Sequence, residues 1–435
     1  MTAAPCDRPI RPSEVRLRAL IPAAGRSGFV AAIVTAQVLT QIGAFTLPAL
    51  LPGYLARWRM SETEAGILVG AFFAAYVVAV PVLVALTDRV PTRNVYLVGT
   101  GLTALAHLGF ALVADGFWSG LVLRAVAGIG WAGAYMPGLK AIADPLTGAA
   151  QSRAVSLHAA GVGVAGAASF AVAGLVDRLA GPDAAFLFGA VTALLGCAIG
   201  ALVMPGRLPQ RADKPPPSAL LDFRPVLRNR AAMAWIAGYT VHTWELAALR
   251  AWGVTFLTAA LARLGAPAWL PGPTVLFTAA GLVGIACSVS GNEAAQQLGR
   301  LRVVMLAMGA AALLAVIAGW TIAVSAPLAI ALVLLWNAAI YVDSSALTAG
   351  TVQAAEPERR GATMGLHSMA GYAGGCVGPL GVGVVLDLCG RDSVAGWGLG
   401  FGHLALVTLA GLAVLLRLGA ATTRPAGSTG RAASP

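Results

Sequence analysis

Four ionisable side chains sit where such groups are expensive. His242, Glu245 and Arg250 fall in Gly238-Tyr239-Thr240-Val241-His242-Thr243-Trp244-Glu245-Leu246-Ala247-Ala248-Leu249-Arg250-Ala251-Trp252, and Arg124 lies in a second apolar run. An Arg or Asp at the centre of a bilayer costs about 2.5–3.5 kcal/mol on insertion scales, so such residues face a bundle interior or a watery cavity. His242 and Glu245 are three residues apart and share a helix face. A mid-span carboxylate beside an imidazole suits reversible protonation, and these two are the expected proton-coupling pair. An interhelical hydrogen bond would account for the same residues. Arg250 lies about 140° around the helix from Glu245 and roughly 7–8 Å further along it, so the two meet different partners. Arg124 or Arg250 can hold an anionic solute, because a guanidinium matches a carboxylate fork to fork.

Other polar side chains can line the same cavity. Gln37 and Gln41 are one turn apart and share a face, and Tyr341, Asn337 and Tyr372 join them as substrate-binding candidates. Tyr76, Trp131, Tyr135 and His367 are weaker candidates. Asp343, read as lying near one end of its span, is expected to be a gate charge, and His107, His158 and His403 have no evident partner. Trp58, Trp118, Trp269 and Trp397 lie near span ends and read as interface anchors.

The elements that must position these groups are transmembrane helices. Charged residues are 11% of the chain, against about 25% in a soluble protein. The hydrophobic fraction is 58% and the mean hydropathy +0.79. Water-soluble proteins cannot hide that much apolar surface. A spanning helix takes about 20 apolar residues. Twelve such runs are present, at 28–52, 62–86, 95–114, 118–140, 154–176, 184–204, 231–258, 272–290, 303–323, 327–349, 362–386 and 396–418. An even number puts both ends on one side. The loops on that side hold 22 Lys and Arg against five on the other, which makes it the cytoplasmic side by the positive-inside rule. The net charge of +11 is therefore membrane anchoring and not nucleic-acid binding.

The chain divides into a cytoplasmic N-terminal tail (1–27), a first bundle (28–204), a cytoplasmic linker (205–230), a second bundle (231–418) and a disordered cytoplasmic tail (419–435). The tail 1–27 has five Arg and no clean apolar stretch, so it does not read as a signal peptide. The linker carries Pro215, Pro216 and Pro217 with six basic residues. The two bundles repeat each other. Shifted by 209, Leu157, His158, Gly166, Gly174 and Gly181 fall on Leu366, His367, Gly375, Gly383 and Gly390, and Arg93, Val95 and Leu97 fall on Arg302, Val304 and Leu306. The five Cys are scattered, with no metal or redox spacing, and nothing matches a nucleotide-binding loop.

Two motifs carry a resemblance. Val84-Ala85-Leu86-Thr87-Asp88-Arg89-Val90-Pro91-Thr92-Arg93 resembles the loop between spans two and three of the major facilitator superfamily, roughly G-x-x-x-D-R-x-G-R-[KR]. Val84, Pro91 and Thr92 depart from that pattern; Asp88, Arg89 and Arg93 keep it. Arg124-Ala125-Val126-Ala127-Gly128-Ile129-Gly130 is similar to the family's R-x-x-x-G-x-G. The resemblance implies an all-α membrane protein of twelve transmembrane helices in two pseudo-symmetric six-helix bundles. It implies that Asp88 closes the cytoplasmic side by pairing with Arg on the neighbouring bundle, and that Arg124 handles protons or anions; an interhelical ion pair is the other reading of Arg124. Span five lacks the Gly-Pro pair of drug/proton antiporters, although Gly378-Pro379 occurs in its repeat partner, span eleven.

The expected function is secondary active transport of a small anionic organic solute by alternating access, coupled to protons as a symporter. Alternatives are a proton-driven exporter of drugs or metabolites, or a transport-inactive sensor or assembly factor. The chain is expected to be no enzyme, to use no cofactor or metal, and to act as a monomer in the inner membrane. Its expected partners are solute, protons and lipid.

Overall fold

The computed structural model describes residues 27–206, 222–265 and 269–423. The expectations for tail 1–27 and tail 419–435 fall largely outside these residues, as does most of the 205–230 linker, of which Arg224–Arg228 forms a short helix. Among the described residues twelve helices are long and apolar enough to cross a membrane. They are Gly28–Trp58, Glu62–Leu86, Thr92–Leu112, Phe117–Ala143, Gly148–Ala180, Pro182–Val203, Arg230–Leu264, Pro273–Leu298, Arg300–Ala323, Ala326–Ala354, Pro357–Cys389 and Val394–Gly419, spans one to twelve. Most outrun the apolar segments predicted for them.

The ends follow local chemistry. Span two starts in a capping box, where Ser61 Oγ accepts from the Glu64 amide (3.1 Å) and Glu64 accepts from the Ser61 amide (2.9 Å). Asn229 accepts from Ala232 N at the start of span seven (3.0 Å). Gly181 and Gly390, mates in the sequence repeat, stop spans five and eleven at φ of 87° and 85°. Span one is broken at residues 42–45, between helices Ser27–Gln41 and Thr46–Trp58.

The same helix pairs pack in both bundles. Span three meets four and six, two meets four, and one meets six; in the second bundle nine meets ten and twelve, eight meets ten, and seven meets twelve. Glycine sets the spacing in span four. A side chain at Gly128 would run into the Phe72 carbonyl of span two, and one at Gly130 would reach the Thr103 amide of span three (2.7 Å). That is the structural content of the R-x-x-x-G-x-G motif.

The bundles join through spans two and eleven, five and eight, and one and seven. Thr278 Oγ1 donates to the Ala167 carbonyl (2.7 Å) and accepts from the Ala171 amide (2.9 Å). Asp387 of span eleven accepts from the backbone amides of Glu62 (3.0 Å) and Thr63 (2.8 Å) at the start of span two, and Arg391 pairs with Glu62 (3.0 Å). These contacts gather on the side away from the described chain ends, here the far side. Among the described residues, polar contacts found on the near side lie within a bundle: Lys140 pairs with Asp88 (2.6 Å), Arg93 donates to Ala201 O (2.8 Å), and Asn229 donates to Ala354 O (2.9 Å).

Three expectations change. Among the described residues Asp88 meets Lys140 of its own bundle, where an Arg of the other was expected; Arg89 is exposed. Trp397 is wholly buried against Phe256 and Phe401 and donates to the Arg391 carbonyl (2.7 Å), so it is core and not an interface anchor. Trp58 packs edge-on to Tyr54 (4.8 Å between centroids), whereas Trp118, in the first turn of span four, and Trp269, in the turn before span eight, are exposed. Asp343 is the third, and it belongs to the site.

Candidate functional site

Asp343 sits within span ten, with its side chain 4% exposed, and its Oδ1 lies 2.7 Å from His242 Nδ1 on span seven. It is therefore no gate charge. A buried carboxylate needs a counter-charge or donors, and His242 meets that need when protonated. Tyr239 stacks on His242 (5.6 Å) and on His367 of span eleven (3.9 Å). His367 in turn has Thr351 Oγ1 at Nδ1 (3.1 Å) and Thr348 Oγ1 at Nε2 (3.4 Å).

Glu245 shares a helix with His242 but points elsewhere. Its oxygens accept from Trp336 Nε1 (2.6 Å) and Thr408 Oγ1 (2.8 Å), on spans ten and twelve, in an aromatic core with Phe401. Both carboxylate oxygens thus have a donor. The spacing of His242 and Glu245 correctly placed both in the bundle interior; it gave no sign that Asp343 is the imidazole's partner.

The two span Arg residues are short of acidic partners. Arg124 is buried with its guanidinium over the Phe72 ring (4.7 Å), and its Nε has no hydrogen-bond partner. Arg250 lies between the rings of Phe45 (5.0 Å) and Tyr341 (5.7 Å) and donates to the Tyr341 hydroxyl. Among the described residues neither is within 4.0 Å of a carboxylate. Phe45 comes from the break in span one, so Arg250 bridges the bundles. Its amide donates to Ser169 Oγ (3.0 Å) and its ring stacks on Phe170 (5.5 Å), which contacts Phe277 of span eight (5.4 Å). The sequence offered no signal for Phe45 beyond Gly43 two residues before it.

Tyr372 packs on Tyr76 across the bundles (4.0 Å). Asn337 donates to the Ala280 carbonyl (2.7 Å), a helix-to-helix bond and not a free lining group. Gln37 and Gln41 are buried, and both polar atoms of each amide lack a partner, as do both ring nitrogens of His158. Each such group costs about 1–3 kcal/mol, so a cluster of them is retained for a reason other than stability. His107 has both ring nitrogens against carbonyls, of Thr103 (2.8 Å) and Gly43 (3.0 Å). Gly378-Pro379 is packing: the Pro379 carbonyl accepts from Trp252 Nε1 (2.8 Å) and a side chain at Gly378 would strike the Trp244 carbonyl. A separate pocket of about 310 Å³, lined by Arg57, Asp177, Arg178 and Thr274 among others, opens at the far side, away from these groups.

The sequence profile of the Major Facilitator Superfamily matches residues 33–379 of this twelve-helix chain. The chain belongs to that superfamily. It is a transporter and not an enzyme. Protein spinster homolog 1 of Xenopus laevis is 24% identical over 229 residues, 51% of this chain and 44% of the relative, so the match spans less than half of that protein. Two solved structures share the fold. The nucleoside transporter NupG has a TM-score of 0.70 at 13% identity, covering 90% of this chain and 98% of its own. A bacterial homologue of the human lysosomal transporter Spinster, inward-facing and occupied, has a TM-score of 0.67 at 15% identity, covering 91% and 95%.

Proposed function

We propose that this major facilitator is a proton-coupled secondary transporter of a small anionic organic solute, working by alternating access as a symporter. Arg124 and Arg250 carry the reading. Arg124 is buried and Arg250 partly so, and among the described residues neither has a carboxylate partner; such a guanidinium calls for a counter-ion, and a transported carboxylate or phosphate supplies one. Arg250 is the better placed, because its present neighbours are two aromatic faces that an incoming anion can displace.

The proton falls to the second bundle. Asp343 and His242 form a buried acid–imidazole pair on spans seven and ten, and adding or removing one proton changes the charge of that pair. Glu245 with His242 is the competing assignment; its two donors make it the stiffer group. The near side is taken as cytoplasmic, on the strength of the 22 to five excess of basic residues in its loops, and the membrane as the inner membrane. The bundles are fastened on the far side, which supports an inward-open state. The protein is taken to work as a monomer.

The test is uptake into proteoliposomes with and without an imposed pH gradient, beside counterflow, which needs no gradient. Asp343→Asn should lose gradient-driven accumulation and keep counterflow. Loss of both in that variant, with both kept in Arg250→Ala, would remove the basis of this reading.

A further inference from the structure

The sequence repeat gives the two bundles a histidine at the same place, and the two are treated in opposite ways. His158 and His367 are mates at the offset of 209, and both are buried, at 0% and 3% exposure. Spans four and ten start 209 residues apart, at Phe117 and Ala326, so the same offset aligns them. The hydroxyls that satisfy His367 are Thr348 and Thr351. Their mates in the first bundle are Leu139 and Ile142, which offer no hydrogen bond. His158 is left with two bare nitrogens.

Its surroundings are also unsatisfied. Gln37 Oε1 and His158 Nε2 lie 3.1 and 3.3 Å from the point where a side chain at Gly138 would begin, so the two face one small space that Gly138 keeps clear. The Gln37 amide has no partner at either atom, nor has that of Gln41 one turn further on. Tyr135 covers His158 with its ring at 5.4 Å. The second copy has a threonine pair beside its histidine where the first has Leu139 and Ile142, and there Gln37 faces the unpaired imidazole. No ion pair reaches these three side chains among the described residues.

We propose that Gln37, Gln41 and His158 form a hydrogen-bonding subsite in the first bundle that takes a neutral polar part of the solute. A carboxamide and a neutral imidazole each offer one donor and one acceptor face. The matching ligand group carries a donor next to an acceptor, as a carboxamide or the edge of a nucleobase does. The solute would then be bifunctional, with an anionic end toward the arginines and a neutral end read by the first bundle. This rests on the transport reading above, but its stability test does not depend on proton coupling.

The test compares repeat mates. Thermal unfolding of the purified full chain is measured for His158→Leu, Gln37→Met and His367→Leu. Removing His367 loses its contacts with two threonine hydroxyls and its stacking on Tyr239 and lowers the Tm by several degrees; removing an unsatisfied histidine leaves it unchanged or raises it. A fall in His158→Leu as large as in His367→Leu would mean that the imidazole already has a partner inside the protein, and the subsite would be wrong. The same assay is then run with uridine monophosphate and with succinamate, each of which carries an anionic end and a neutral edge with a donor next to an acceptor. Stabilisation of the wild type by either, lost in Gln37→Met, supports the subsite. Equal stabilisation of both proteins places binding elsewhere, and no stabilisation by either compound overturns the proposed ligand class. A failure of proton coupling would show instead in Asp343→Asn uptake and leave these shifts untouched.

Discussion

Asp343 and His242 meet through Oδ1 and Nδ1 at 2.7 Å, with 4% and 2% of their side chains exposed. Breaking a buried pair by removing one partner costs about 3–5 kcal/mol, whereas replacing both with apolar groups can be neutral. The Asp343→Leu and His242→Leu singles should therefore unfold at clearly lower temperature than the double variant. A double variant no more stable than the worse single would show that the two groups are not coupled.

Glu245→Gln tests the other carboxylate. Trp336 Nε1 can only donate, but the Thr408 hydroxyl can turn to accept, so a carboxamide can keep both partners. A loss of no more than about 1 kcal/mol in stability follows. If Glu245 is structural, counterflow per folded molecule is retained. If it couples protons, gradient-driven uptake alone disappears. Loss of both would show that it is not a dedicated coupling group.

Arg250 should tolerate Lys poorly. Lysine keeps the charge but loses the flat face set between Phe45 and Tyr341. Cation–π contacts are worth about 0.5–2 kcal/mol. Arg250→Lys is expected to raise the apparent KM for an anionic substrate severalfold, and Arg250→Ala to abolish its saturable uptake. Equal uptake by all three proteins would assign Arg250 to far-side closure alone.

Gly128→Ala puts a methyl group against the Phe72 carbonyl, a backbone atom that cannot turn away. Overpacking of this kind costs about 1–3 kcal/mol. The yield of monodisperse protein and its Tm should fall, whereas Gly101→Ala, which meets nothing within 4 Å, should be silent in both measurements.

The twelve spans and their repeat were legible because burial in lipid demands long apolar runs whatever the packing. Which way each helix faces was not. A span apolar on all sides has no stripe to read, so Trp397 passed for an interface anchor and Asp343 for a gate charge. The site was legible by residue type: Arg124, Gln37, Gln41, His242 and Glu245 are all interior. Their partners were not, since Asp343 lies about a hundred residues from His242 and Phe45 about two hundred from Arg250. Asp88 shows the same limit, because a loop motif fixes the acid but not the cation that answers it.

The cap that Asp387 places on span two should govern how the far side opens. Charge at a helix start is worth about 0.3–1 kcal/mol when exposed. Asp387→Ala should shift the population toward far-side opening by up to roughly fivefold, read as faster labelling of a cysteine placed at Thr63.

Half of that fastening is beyond the reach of mutation. The groups that Asp387 grips are peptide amides, which stay the same whatever residue, short of proline, occupies positions 62 and 63. Of this cap only the aspartate can be lost by substitution, whereas the neighbouring Glu62–Arg391 pair needs both of its side chains.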